Sequence, residues 1–270
     1  MSSLPLLRPL TVGEILDRAF RLYRTHFVLL ISIPLLALVP MTFLQVVSQL
    51  LWHTTQWIDL LQNGFVQLLV SSALVVAISQ AYLTRPPTLG EAYRAASQRY
   101  GAAWRGNFLM GLAIALPAAA LACGTIMLAQ DQGIWIVIVL ILPFAMFLGT
   151  RWSLMLPSIL LEDLGAQAGL GRSWALTEGS FGKVFGTSFA AGILIILLAT
   201  LPQLAVSYGL GLLLANVDIV ALVETVLAQV SLILTTPVSI GVTVVLYYDL
   251  RVRKEAFDLE WQVQQASTAQ

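Results

Sequence analysis

Long apolar stretches separated by short polar connections fill most of the chain. Six of these stretches reach the roughly 20 apolar residues that a helix needs to cross the bilayer core. They occupy residues 27–51, 65–83, 108–129, 134–161, 184–214 and 219–248. Prolines inside five of them predict kinks, which a membrane bundle tolerates because neighbouring helices satisfy the freed carbonyls. The pattern predicts an all-α integral membrane protein with six transmembrane helices.

The composition indicates that lipid, not water, surrounds much of the protein. Of the 270 residues, 58% are hydrophobic and 10% are charged, against about 25% charged in a typical soluble domain. The net charge is zero, so bulk charge gives no reason to expect a nucleic-acid partner. The single cysteine, Cys123, cannot form an intrachain disulfide or a thiolate metal cage, and we expect it to pack as a small apolar residue.

The positive charges lie on one side of the predicted bundle. Thirteen of the fourteen Lys and Arg residues fall in the N-terminal segment, in 84–107, in 161–183 or after the last span. The fourteenth, Arg151, lies towards the same end of the fourth span, and the connections on the other side contain none. By the positive-inside rule, the basic side is predicted to be cytoplasmic, with both chain termini there.

Three amphipathic stretches, each followed by two spans, predict an internal triplication. Apolar residues recur at helical spacing in each stretch, and Gly13, Gly90 and Gly171 occupy equivalent positions. The predicted unit is an interfacial amphipathic helix plus a two-span hairpin, used as three parallel repeats. The repeats cover about 11–84, 88–161 and 168–250, within one membrane domain of residues 1–260 and before a disordered tail at 261–270. Chance similarity among apolar helices is the alternative.

The first two amphipathic stretches begin with a capping-box pattern, in which a Thr hydroxyl accepts from the third amide and a Glu accepts from the cap amide. Thr11 and Glu14 form one pair, Thr88 and Glu91 form the other, and the third stretch lacks the box. These helices could form a basic collar that meets anionic headgroups, or they could simply anchor the hairpins at the interface.

Three segments carry a family resemblance: residues 7–23, residues 160–163 with 171–181, and residues 247–260. The last, which opens with Tyr247-Tyr248-Asp249, is the most specific. Together they resemble the bacterial family named for the membrane domain of glycerophosphoryl diester phosphodiesterases, over nearly the whole chain. The resemblance implies a multi-pass protein of the bacterial inner membrane.

The resemblance does not extend to catalysis. Members that are fused to a phosphodiesterase have a domain similar to a (β/α)₈ barrel, which needs about 250 further residues, with His, Glu and Asp around a metal. This chain has two histidines, His26 and His53, which the topology puts on opposite sides. We therefore expect a stand-alone member without phosphodiesterase activity, cofactor or metal.

Ionisable residues in membrane spans are the first candidates for function. We predict a polar cluster on the inner face made of Arg151, Glu178, Asp249 and Arg172. Arg151 is expected near the inner boundary, paired with Asp249, Glu162 or Glu178. A guanidinium there could bind a phosphate. The alternatives are an ion pair that locks the fourth and sixth helices, or a snorkelling side chain.

The sequence favours a non-enzymatic scaffold or accessory subunit that acts at the cytoplasmic leaflet. Its expected partners are membrane lipids and a membrane or cytoplasmic protein, with no nucleic acid. The alternative is a lipid or small-solute transporter, with the kinked spans forming the path. An intramembrane enzyme acting on glycerophospholipids is a third hypothesis, for which only Arg151 and Asp249 offer paired ionisable groups. The glutamines of the spans show no spacing that predicts a pore: Gln45, Gln67, Gln80, Gln203 and Gln229.

Overall fold

The computed structural model describes residues 9–83, 88–129, 133–213 and 217–255, and this part of the chain is helical apart from short connections. Its helices are α1 (Val12–Thr25), α2 (Phe27–Trp52), α3 (Gln56–Leu61), α4 (Gln67–Leu83), α5 (Leu89–Ala129), α6 (Gly133–Trp152), α7 (Met155–Leu161), α8 (Ala166–Thr177), α9 (Phe181–Ile195), α10 (Leu201–Leu213) and α11 (Val217–Glu255). Single π-helical turns, Gln62–Val66 and Ile196–Thr200, join α3 to α4 and α9 to α10.

The six predicted spans are confirmed. Helices that are long and apolar enough to cross a membrane occupy Phe27–Trp52, Gln56–Leu83, Leu89–Gly124, Val137–Leu161, Phe181–Leu213 and Ile219–Glu255. Several begin earlier or end later than the apolar stretches do, because polar residues at the membrane boundary do not by themselves end a helix. The predicted tail at 261–270 lies outside the described residues.

The three predicted amphipathic segments are helical, but they join the following spans differently. The first is separated from its span at His26, and the third at Gly179, whose φ of 69° favours glycine. In the second copy we expected a separate interfacial helix, and the structure corrects this: α5 runs unbroken for 41 residues. Ala102 and Ala103 stand at the junction and are strong helix formers. The threefold repeat itself stays a prediction.

Both predicted capping boxes are present. The Thr11 amide donates to the Glu14 carboxylate at 2.8 Å, and the Glu14 amide donates to the Thr11 hydroxyl at 3.4 Å. The same two bonds join Thr88 and Glu91, at 2.9 and 3.3 Å. Helix α8 instead begins after Gly165 without a side-chain cap. The bonds of the two capping boxes satisfy amides that the first turn of a helix leaves unpaired.

Helices α4 and α11 form the centre of the bundle. The residues of α4 from Ser72 to Ser79 are all buried, and so are those of α11 from Val244 to Leu250. Helices α1 and α2 pack against this pair. At Gly241 the approach is close, since a Cβ there would lie 3.6 Å from the Cβ of Ala19. A small residue at a crossing allows membrane helices to pack tightly.

The bundle has two unlike ends. We call the "charged end" the one formed by α1, α7, α8 and the adjoining ends of α4, α9 and α11. Both described ends of the chain lie there, because the Leu10 amide donates to Asp249. The opposite end holds α3 and the end of α10. Between the ends, the α5–α6 hairpin and α10 expose large apolar side chains such as Leu116, Val139 and Leu204, as a lipid-facing surface does.

Candidate functional site

A buried carboxylate, Asp249 of α11, organises the first polar network at the charged end. Its side chain has no exposed surface, and it accepts a hydrogen bond from the Leu10 amide at 2.6 Å. It also forms ion pairs with the Lys183 ammonium and, at 3.0 Å, with Nε of Arg253. A buried charge is tolerated only when it is paired and hydrogen-bonded in this way.

The same network holds the Leu10 peptide from its other side. The carbonyl of Leu10 accepts from Nζ of Lys183 at 2.7 Å and from Nη2 of Arg253 at 2.8 Å. The segment before α1 is thereby fixed to α9 and α11. Lys183 was not part of the predicted cluster, because it is the third residue of α9 and in the sequence it resembles the other cations of the inner side.

A second network joins α7, α8 and α11. Arg172 bonds Glu162 at 2.7 Å and Glu255 at 2.5 Å. Arg251 bonds Glu255 at 3.0 Å, and the Tyr247 hydroxyl donates to Glu162 at 2.5 Å. Hydrogen bonding to Glu255, together with that to Glu162, raises the pKa of Arg172. Two cations face two carboxylates here, so the cluster is balanced in charge and suited to holding helices together.

Arg151 belongs to neither network, which corrects the expectation that it pairs with Asp249, Glu162 or Glu178. Its Nε and Nη1 atoms are buried and have no hydrogen-bond partner. The guanidinium carbon instead lies 4.8 Å from the centre of the Trp174 ring and 5.5 Å from those of Phe147 and Phe181. Asp249 is occupied by two other cations, and Arg151 faces α8 and α9, where none of the described carboxylates is paired with it. Cation–π attraction to three rings takes the place of an ion pair.

The four residues of the predicted cluster therefore occupy separate environments. Asp249 and Arg172 each lie at the centre of one network. Arg151 lies among the rings of Phe147, Trp174 and Phe181, which we call the aromatic cage. Glu178 is exposed at the break after α8. Its carbonyl and that of Ala175 accept from the Lys254 ammonium at 2.5 and 2.8 Å, and a cation is well placed at the negative end of a helix.

An open cleft at the charged end separates α1 from the end of α4. It has a volume of about 280 Å³ and is lined by Arg18, Arg21, Thr25, His26 and Tyr82, among others. The Arg18 guanidinium donates to the Tyr82 hydroxyl at 2.7 Å, which holds one wall of the cleft. Two arginines and a histidine make the lining of this cleft basic.

Three buried glutamines form a closed ring near the opposite end, although the spacing of the span glutamines predicted no pore. The Gln229 amide donates to Gln45 at 2.8 Å and to Gln62 at 3.2 Å. Gln62 donates back to Gln229 at 3.2 Å, and Gln45 donates to Asp59 at 2.7 Å. Gln62 was outside the predicted second span, and the π-helical turn that starts there presents it to α2 and α11, so spacing alone could not reveal the ring.

A lateral crevice lies between α6 and α9, with a volume of about 380 Å³. A smaller cavity of about 150 Å³, between α6, α9 and α11, adjoins it. The two share Ser153, Ser188 and Gly192 in their linings. Among the described residues, no three His, Cys, Asp or Glu side chains come together as metal ligands, and His26 and His53 flank the two ends of α2.

The family model described as the membrane domain of glycerophosphoryl diester phosphodiesterase matches residues 125–264, just over half of the chain. The chain belongs to this family. The matched region contains both ion-pair networks except for Leu10. It also contains the aromatic rings around Arg151 and the lateral crevice. No curated protein and no solved structure gives a significant match to the chain.

Proposed function

We propose that this protein is a non-enzymatic membrane scaffold or accessory subunit that docks a partner protein at the cytoplasmic leaflet. The observation that carries the proposal is the closed centre of the bundle. Val70, Leu74 and Ile78 of α4 are fully buried, and the apolar residues of α11 pack beside them. Within the described residues, buried polar networks occupy the two ends, and this apolar core separates them. The arrangement supports a rigid scaffold in preference to a transporter with a solute path through the bundle.

The charged end supports the same proposal because its helices are fixed to one another. Asp249 links the segment before α1 to α9 and α11, and Arg172 links α7 to α8 and α11. Side chains held by several bonds present a surface of constant shape, and binding to a preorganised surface costs little ordering entropy. By the positive-inside rule, the concentration of Lys and Arg supports a cytoplasmic position for this end.

The partner that fits this end carries an acidic segment. The cleft beside α1 is lined by Arg18, Arg21 and His26. Arg21 forms an ion pair with Asp17 at 2.7 Å, but both side chains are largely exposed. A carboxylate of the partner could therefore replace Asp17 at a small cost in free energy. Electrostatic complementarity of this kind sets which partners bind and how fast they associate.

Site-specific photo-crosslinking in native membranes tests the proposal. A photoreactive amino acid at Thr25, in the cleft, is expected to give one adduct of defined mass, and the same probe at Trp57 of the opposite end should give none. Arg21→Glu should abolish the adduct. Arg24→Glu makes the same charge change on the same helix outside the cleft and should leave it. Equal labelling from both ends, or an adduct indifferent to Arg21→Glu, would contradict docking at the cleft.

One observation favours the alternative of lipid transport: the lateral crevice opens between two spans towards the bilayer. If the protein moved lipid between leaflets, reconstituted vesicles would exchange a fluorescent phospholipid faster than protein-free vesicles do. We expect equal rates, because the buried apolar core separates the crevice from the opposite end. Faster exchange would favour the transporter.

A further inference from the structure

The lateral crevice between α6 and α9 has the size of a ligand site and is graded in polarity. Its volume of about 380 Å³ lies within the range of roughly 300–1,000 Å³ that is usual for small-molecule sites. Met146, Ile193 and Ile196 line the part towards the bilayer centre, and Thr150, Ser153 and Ser188 lie towards the charged end, beside the rings of Phe185 and Phe189. This gradient follows from the antiparallel directions of α6 and α9.

The adjoining cavity extends the polar part of the crevice into the bundle. Ser153, Ser188, Ser239 and Thr243 line it from three different spans. Ser153 donates to the Thr150 carbonyl at 2.9 Å, and Thr243 donates to the Ser239 carbonyl at 3.1 Å. Because each of these two hydroxyls donates its proton to a backbone carbonyl, it offers only lone pairs to the cavity. These lone pairs can accept from the hydroxyl groups of a headgroup such as glycerol, but they do not bind its phosphate.

An unneutralised positive charge stands beside the polar part. Arg151 follows Thr150, and no carboxylate within the described part of the chain is paired with it. The ring of Phe181 lies 5.5 Å from its guanidinium carbon and stacks at 6.1 Å on Phe185, which lines the crevice. The rings of Phe181 and Phe185 therefore connect the guanidinium to the wall of the crevice. At this depth, surrounding lipid and apolar side chains screen its charge weakly, so it favours an anion in the crevice.

We propose that the crevice binds one anionic phospholipid from the leaflet at the charged end. An acyl chain occupies the space between Met146 and Ile193, the hydroxyl groups of the headgroup donate to Ser153, and the phosphate lies within the field of Arg151. A phospholipid has the required gradient, apolar towards the bilayer centre and polar towards its surface. A membrane helix from a partner would be apolar at both depths and would leave the hydroxyl-lined cavity unfilled. This site does not depend on the proposed docking function.

Two glycines allow the site to be filled without disturbing the packing. A Cβ added at Gly192 of α9, or at Gly149 of α6, would meet no heavy atom within 4 Å, although both residues line the crevice. Gly192→Leu therefore places its side chain in the space assigned to the acyl chain, and Gly149→Leu does the same from the other wall. Gly111→Leu is the matched control, because it adds the same side chain at an equally open, lipid-facing glycine of α5.

Native mass spectrometry of the delipidated full chain, titrated with dioleoyl phosphatidylglycerol or dioleoyl phosphatidylcholine, tests the proposal. We expect the wild-type protein to retain one phosphatidylglycerol tightly. Gly192→Leu and Gly149→Leu should each lower its affinity by about tenfold or more, because the added side chain overfills the pocket. Gly111→Leu should not change the affinity. Arg151→Met should lower the preference for phosphatidylglycerol over phosphatidylcholine by about tenfold while one lipid is still bound.

Three results would overturn the proposal. Wild-type protein that retains both lipids equally would remove the role of charge. Full retention in both glycine variants would place the lipid elsewhere. Equal loss in Gly111→Leu would mean that the variants report only a changed lipid-facing surface. Circular dichroism and size-exclusion profiles identify any variant that fails to fold. If one of the two glycine variants fails to fold, the other, on the opposite wall, carries the test.

Discussion

Asp249 offers the sharpest test of how the charged end is held together. In Asp249→Asn the side chain keeps its size and can still accept from the Leu10 amide, but it loses its charge. The ion pairs with Lys183 and Arg253 disappear. Removing one partner of a buried ion pair costs about 3–5 kcal/mol. The lower end applies here, because Arg253 is partly exposed and both cations keep their bonds to the Leu10 carbonyl.

We therefore expect the free energy of unfolding to fall by about 3 kcal/mol. Titration of the detergent-solubilised protein from dodecyl maltoside into sodium dodecyl sulfate, followed by circular dichroism, measures this change. Asp163→Asn is the control, because it removes an exposed ion pair with Arg99 at a residue whose φ of 56° asparagine tolerates. It should cost less than about 1 kcal/mol. A similar small loss in Asp249→Asn would refute the claim that the carboxylate fixes the N-terminal segment.

Three further substitutions probe other parts of the account by the same titration. Gly169→Ala should cost about 1–3 kcal/mol, because its Cβ would lie 2.3 Å from Cγ1 of Ile159; Gly171→Ala, with open space around it, should cost nothing, and equal losses would contradict the packing of α7 on α8. Gln229→Leu removes three hydrogen bonds of the glutamine ring and should cost about 2 kcal/mol at about 0.6 each; an unchanged midpoint would argue against the ring. Arg151→Met should change stability by less than about 1 kcal/mol, since an apolar replacement suits an unpaired buried cation, and a loss above about 3 kcal/mol would indicate a hidden ion pair.

The sequence was sufficient for the spans because they depend on one-dimensional hydropathy. Twenty apolar residues must cross the bilayer wherever they stand in the fold. The capping boxes at Thr11 and Thr88 were equally accessible, since their partners lie three residues away. The unbroken α5 was not predicted, because the absence of a break there reflects local helix propensity at Ala102 and Ala103, and the repeat pattern suggested a break by analogy with the other copies.

The partners of buried polar residues could not be read from the sequence. The position of Arg151 along its span gave its depth, but which neighbour it faces depends on the rotation of α6 about its axis, and this is set by packing. The structure turns it towards the rings of Phe147, Trp174 and Phe181. Lys183 was missed for the same reason, since nothing local to α9 indicates that Asp249 of α11 is its partner.

The two polar ends and the apolar centre together explain why the bundle suits a supporting role. A path for ions or solutes needs polar groups that continue from one side to the other. The glutamine ring around Gln62 and the network around Asp249 are instead separated by fully buried apolar residues of α4. The remaining features, the basic cleft and the lateral crevice, open outwards to a partner and to lipid.

Native mass spectrometry of the protein released from its own membranes with a mild copolymer tests the central proposal most directly. We predict that a partner protein is bound at a fixed ratio in the wild type. Arg21→Glu should lose this partner, and Arg24→Glu should keep it. Recovery of the chain with lipid but without any protein at fixed ratio, in the wild type as in both variants, would contradict the scaffold function.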